Sequence, residues 1–116
     1  MQAHFTEFGQ IEINGETYYK DVIIDRGIVK RRDKRPSKRH RHRYGHTPLS
    51  ATEAIPWDCK RLIVGTGMYG KLPIMDAVYA EAEARSIELV VCTTGEACDL
   101  LRASEGDANA VLHITC

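Results

Sequence analysis

No apolar run in this 116-residue chain approaches 18 residues, so no segment reads as a membrane-spanning helix. The first residues carry no secretory signal pattern either. These two absences give the expectation of a soluble, non-secreted, cytoplasmic protein without a membrane partner. The four cysteines, Cys59, Cys92, Cys98 and Cys116, include no C-x-x-C pair and form no disulfide framework. In a chain read as intracellular they are expected to be free thiols, mostly buried. No internal repeat is found, which leaves a single domain over residues 1–116, long enough to bury roughly two-thirds of its unfolded surface.

Net charge is absent too, but the zero hides an asymmetry. Residues 30–43 hold nine Lys/Arg against one acid, Asp33, while the rest of the chain holds seven Lys/Arg against fifteen acids. Residues 30–47 are therefore expected as an exposed edge, a loop or a disordered arm, too charged to bury, with Pro36 and Gly45 interrupting regular structure.

The stretch that organises the chain lies at 61–73. Leu62, Ile63 and Val64 form an apolar run without alternation, as in a central strand covered on both faces. Gly65, Gly67 and Gly70 follow at G-x-G-x-x-G spacing, and Pro73 suits the first turn of a helix. That helix is expected over about 73–85, with Met75, Val78 and Ala82 inward and Asp76 and Glu83 facing water. A strand at 87–92 comes next. A second helix at 94–104 has Thr93 and Glu96 at capping-box spacing, an inward face of Ala97, Leu100, Leu101 and Ser104, and Gly106 as its stop. A last strand runs over 109–114. Strand-helix-strand-helix-strand requires a parallel sheet with right-handed crossovers.

Before this core, Ile11 and Ile13 alternate with polar residues. Asn14-Gly15 gives a hairpin turn, and Asp25-Arg26-Gly27 a second turn between apolar pairs. Residues 1–9 carry little signal. The 48–54 stretch reads as a short helical turn ended by Pro56, and Trp57 as packing over a sheet edge or helix. The expected fold class is α/β: a β-α-β-α-β parallel core sheet with two crossover helices over 57–116, a basic arm at 30–47, and an antiparallel β meander layer at 1–29.

The combination of K-D-V-I-I at 20–24, S-K…Y-G-H-T-P-L at 37–49, I-V-G-T-G-M-Y-G-K-L-P at 63–73, T-G-E-A at 94–97 and V-L-H-I-T-C at 111–116 resembles one family across 11–116. It is the uncharacterised small-domain family that includes mitochondrial complex I assembly factor 3 and the adipogenesis-associated Mth938-type domain protein. The resemblance implies a small α/β domain with a parallel or mixed sheet and an added β layer. It carries over no catalytic residue. Two departures stand out: a more basic arm, and D-L-L-R after Cys98 where relatives often show a Tyr-Asn pair.

Three sites compete on the residues themselves. The glycine loop, with Gly65, Thr66, Gly67, Tyr69 and Gly70 and with Thr93 and Thr94 from the next strand end, is either a tight strand-to-helix turn or a cleft for an anion or small ligand. Dinucleotide binding is disfavoured, because Cys92-Thr93-Thr94 stand where a ribose-binding acid is needed. The arm, through Lys38, Arg39, Arg41, Arg43 and Tyr44, is either a solvated loop or a weak nucleic-acid or acidic-partner surface. One tyrosine gives little base stacking. For metal, the candidates are His40, His42, His46, His113 and Cys116, but His40 and His42 alternate with arginines, and His113-x-x-Cys116 is only a pair where structural zinc takes four ligands. No catalytic set, metal or cofactor is therefore assigned. The leading expectation is a non-catalytic domain with a protein partner, in the manner of an assembly or adaptor factor. The alternatives are an enzyme-like site at 65–70 and non-specific nucleic-acid binding at 30–43.

Overall fold

The computed structural model describes residues 1–116. In chain order they form β1 (Ala3–Glu7), β2 (Gln10–Ile13), β3 (Glu16–Tyr18), β4 (Val22–Asp25), β5 (Ile28–Arg31), a 3-10 helix over Arg35–His40, α1 (Arg41–Tyr44), β6 (Arg61–Thr66), α2 (Asp76–Ala84), β7 (Glu88–Cys92), α3 (Thr94–Ala103) and β8 (Ala108–His113). β6 has no solvent face, since Leu62, Ile63 and Val64 are all fully buried, and β8 beside it is likewise buried on both faces. It pairs in parallel with β7 on one side and β8 on the other. Its alternate residues serve two separate cores. Leu62 and Val64 pack with Val78 of α2 and with Val111, while Ile63 packs with Ala97 and Leu101 of α3. The two crossover helices thus cover opposite faces, as right-handed connections require when the chain steps outward to β7 and back past β6 to β8.

The N-terminal meander is divided between two sheets. β1, β2 and β3 form an antiparallel sheet of their own, which brings Ala3, Ile11 and Ile13 into the core under α3. β4 and β5 leave it and extend the main sheet, because β4 pairs antiparallel with the free side of β8. The main sheet is consequently mixed, in the order β5-β4-β8-β6-β7. Of the three hairpin turns, the two expected from the sequence have two consecutive residues in the left-handed region, Asn14-Gly15 and Arg26-Gly27, the geometry that matches strand twist in two-residue loops.

Several boundaries differ from expectation. α2 starts at Asp76, three residues beyond Pro73. The Pro73 carbonyl instead accepts from Leu49 N at 2.9 Å, and the Leu49 carbonyl accepts from Met75 N at 3.0 Å, so 73–75 is extended. The 48–54 stretch is accordingly no helical turn: Leu49 bridges to Ile74, and a tight turn closes with Glu53 N on the Ser50 carbonyl. Trp57 lies under the Arg85 guanidinium at the end of α2, 5.2 Å from ring centroid to Cζ. α3 has its capping box at Thr93 and Glu96 and stops at Ser104, ahead of Gly106. The basic arm is folded: Pro36 sits in the first turn of the 3-10 helix and Gly45, at φ 75°, ends α1. No helix is long and apolar enough to cross a membrane.

Candidate functional site: a cationic cleft beside the sheet's carboxyl end

Two residues of the arm, Arg32 and Ser37, are in the core. Arg32, directly after β5, is 4% exposed. Glu53 holds it with two parallel hydrogen bonds, Nε to Oε1 and Nη2 to Oε2, each 2.8 Å. Arg32 Nη1 donates to Asp21 Oδ2 at 2.8 Å, and Nη2 also donates to the Pro48 carbonyl at 3.2 Å. Ser37 Oγ donates to Glu53 Oε2 at 2.5 Å and lies 2.6 Å from Ser50 Oγ. Burial lowers the Arg32 pKa, but Glu53 and Asp21 outweigh that and raise it above its ordinary value. The expectation that 30–46 is too charged to bury thus fails at Arg32, because two carboxylates from distant segments are buried with it.

The network continues into the sheet. Asp21 Oδ1 accepts from Ile114 N at 3.0 Å, and Oδ2 lies 2.8 Å from His113 Nδ1, the last residue of β8. The other His113 nitrogen is 3.0 Å from Thr115 Oγ1. Burial pushes the Asp21 carboxyl up, yet the His113 contact, the Ile114 N–H and Arg32 together hold it at about 2.

Above this floor opens a cleft of about 490 Å³. Arg32 and His113 line its base, with Lys34, Lys38, Arg41 and His46 around it and the Thr47 and Thr115 hydroxyls beside them. No carboxylate side chain lines it. The cleft lies past the carboxyl ends of β5 and β8, the end of an α/β sheet at which ligands are generally bound. A second depression shares Arg32, Lys34 and Lys38 but adds Asp21 and Asp33.

Lys38 and Arg41 of the sequence-derived arm site are therefore in the cleft, whereas Arg39 and Arg43 are outside it. Arg39 Nε donates to His40 Nε2 at 3.2 Å, and the Arg43 guanidinium stacks on Tyr44 at 5.6 Å. Lys34, Thr47 and Thr115 were missed by sequence reasoning, as was Arg32, and His46 was weighed only as a metal ligand. Within a run of nine cations nothing local separates the buried one from the exposed ones.

The glycine-loop residues do assemble, around the chain's own segment 113–116. Gly67 N donates to Thr94 Oγ1 at 2.8 Å, and that hydroxyl donates to the His113 carbonyl at 2.5 Å. Met68 N donates to the Thr115 carbonyl at 2.8 Å, and Lys71 N to the Cys116 carbonyl at 2.9 Å. Thr66 Oγ1 donates to the Cys92 carbonyl at 2.8 Å. A Cβ at Gly67 would lie 2.4 Å from the Cys116 carbonyl carbon, and one at Gly65 would lie 2.8 Å from Thr94 Oγ1. Close backbone approach is why these glycines are needed. A ligand at this loop would have to displace 115–116. Tyr69 stands apart, 65% exposed, with Gly70 beside it and Thr93 occupied in the α3 cap.

Among the metal candidates, Cys116 Sγ lies 3.9 Å from His46 Nδ1, and both His113 nitrogens already have partners. No three His, Cys, Asp or Glu side chains converge. Of the thiols, burial pushes Cys98 up to about 11, and it raises Cys59 and Cys92 as well, which disfavours the nucleophilic thiolate.

A family model described as a protein of unknown function (DUF498/DUF598) matches residues 4–113. The crystal structure of conserved hypothetical protein PH1505 from Pyrococcus horikoshii OT3 is similar over 100% of both chains, with 28% identity and a TM-score of 0.84. A structure named MT938 is similar over 98% of this chain and 99% of its own, at 22% identity and a TM-score of 0.71. An outer membrane protein from Bartonella henselae matches 99% of this chain and 97% of its own at 16% identity and a TM-score of 0.64, which is a likeness of fold alone. The curated proteins give no match.

Proposed function

Since the chain belongs to the family of proteins of unknown function DUF498/DUF598, we propose that it is a non-catalytic binding domain, of the assembly or adaptor kind, whose basic arm engages an acidic protein partner. One observation carries this reading. Arg26, Arg35, Arg61, Arg85 and Arg102 each pair with a carboxylate, whereas Lys34, Lys38, Arg39, Arg41 and Arg43 pair with none. The protein's acidic surplus does not lie against these five cations, although they share a folded stretch of ten residues. Their mutual repulsion favours an external anion. A protein partner is preferred to nucleic acid because Tyr44, the one Phe, Tyr or Trp ring in the arm, is half-buried beneath Arg43 and makes a poor stacking platform. The enzyme-like alternative at 65–70 is weakened by the donors that hold 115–116.

Deleting residues 30–43 would remove Arg32 and Ser37 from the core, so the test uses substitution. Capture from the native host compares the wild type with a variant in which Lys38, Arg39, Arg41 and Arg43 are all Ser. Loss of an acidic protein that the wild type retains is the expected result. Equal capture by both would refute the reading.

A further inference from the structure

We propose that the cleft beneath the arm binds a small phosphorylated molecule, gripping it by a phosphate or diphosphate group. Its volume, about 490 Å³, falls in the range of small-ligand pockets. Eight of its ten lining residues are charged or polar, so charge and hydrogen bonds lead recognition there. Lys34, Lys38 and Arg41 converge on it from the 3-10 helix and its flanks, none of them in an ion pair. Unpaired cations around a concave surface free of carboxylate side chains define a site for an anion of more than one charge.

The floor gives the site rigidity. Arg32 is fixed by Asp21, Glu53 and the Pro48 carbonyl, and His113 is fixed by Asp21. A ligand therefore meets base groups already in place, and only the flexible rim cations need to be ordered. Thr47 adds a hydroxyl donor among the cations, and Thr115 a hydroxyl that it shares with the second His113 nitrogen. Several donors spread over a cleft suit a tetrahedral, multiply charged phosphate better than a single planar carboxylate. No Phe, Tyr or Trp side chain lines the cleft, and of its two imidazoles His113 is held by Asp21 and Thr115 while His46 lies 3.9 Å from Cys116 Sγ, so a polar remainder, as in a sugar phosphate, suits it better than a nucleobase.

This inference shares Lys38 and Arg41 with the protein-partner reading, but Arg39 and Arg43 belong to that reading alone. The two are separable. Calorimetry at low salt would use inorganic pyrophosphate, orthophosphate and acetate as probes, with a phosphoserine peptide and a short DNA duplex as competitors. Pyrophosphate is expected to bind saturably at one site, at least about tenfold more tightly than acetate. Thr115→Val with Lys34→Ser is expected to weaken it about tenfold, and Arg39→Ser with Arg43→Ser to leave it unchanged while abolishing partner capture. Amide shifts on titration should centre on residues 46, 47, 113 and 115. The proposal is overturned by absence of saturable pyrophosphate binding, by equal binding of acetate, or by equal losses in the two double variants. It is also overturned if peptide or duplex binds more tightly than pyrophosphate and does so through Arg39 and Arg43.

Discussion

At the scale of the residue, Arg32 and Arg39 are the same amino acid in the same basic run, with opposite consequences. Arg32 is 4% exposed between two buried carboxylates. Arg32→Met leaves Asp21 and Glu53 without their cation and is expected to cost about 3–5 kcal/mol. Arg39→Ser should stay within about 0.5 kcal/mol of the wild type. Urea unfolding midpoints of the two variants check this, and similar midpoints would contradict the buried network. Asp21 adds a pH dependence. Its folded value of about 2 lies below the ordinary 3.8, so its stabilisation is present above about pH 4 and is lost as pH falls toward 2. The stability gap between wild type and Asp21→Asn should be roughly 2 kcal/mol near neutrality and should narrow through that acid window. A gap that stays constant from pH 6 to pH 2.5 would show the carboxyl is not held low.

At the scale of the element, periodicity and turn chemistry were readable, whereas contacts between distant segments were not. The unbroken Leu62-Ile63-Val64 run announced a strand covered on both faces, and Thr93 with Glu96 announced the start of α3. The onset of α2 was misplaced because Pro73 carries a local helix-start signal, while its carbonyl is taken by Leu49 from another part of the chain. β1 escaped notice because its alternation rests on Ala3 and Phe5 alone, too few apolar positions to mark a strand. The glycine spacing was legible as well, but nothing in it told that the partner of Gly67 is the backbone of Cys116. Gly67 is at φ 104°, and a Cβ there meets that backbone; Gly95, in the first turn of α3, has open space around it. Gly67→Ala is therefore expected to destabilise by more than about 1 kcal/mol, and Gly95→Ala to stabilise by about 0.5–1 kcal/mol. Thermal midpoints moving in opposite directions would bear this out; a neutral Gly67→Ala would mean the loop does not clamp 115–116.

At the scale of the whole molecule, charge and fold are arranged together. The main sheet places β5 at one edge, and the chain leaves it through Arg31 and Arg32 into the arm, which returns over the ends of β4 and β8. The buried cation at the start of that path and Ser37 in its middle pin a segment that is otherwise exposed. A positive face is thereby held rigid on a molecule of zero net charge. Any anionic partner should then bind with a salt dependence set by how many of these cations it meets. If duplex DNA engages the arm through about six phosphate contacts, log K against log salt should have a slope near −5. Changing Lys38, Arg39, Arg41 and Arg43 to Ser should reduce that slope by roughly three to four units, with the fold retained because all four side chains are exposed. A slope near zero in the unaltered protein, or no loss in the quadruple variant, would remove nucleic acid from consideration. The acidic protein and the small phosphorylated ligand would then stand as the partners to which this face answers.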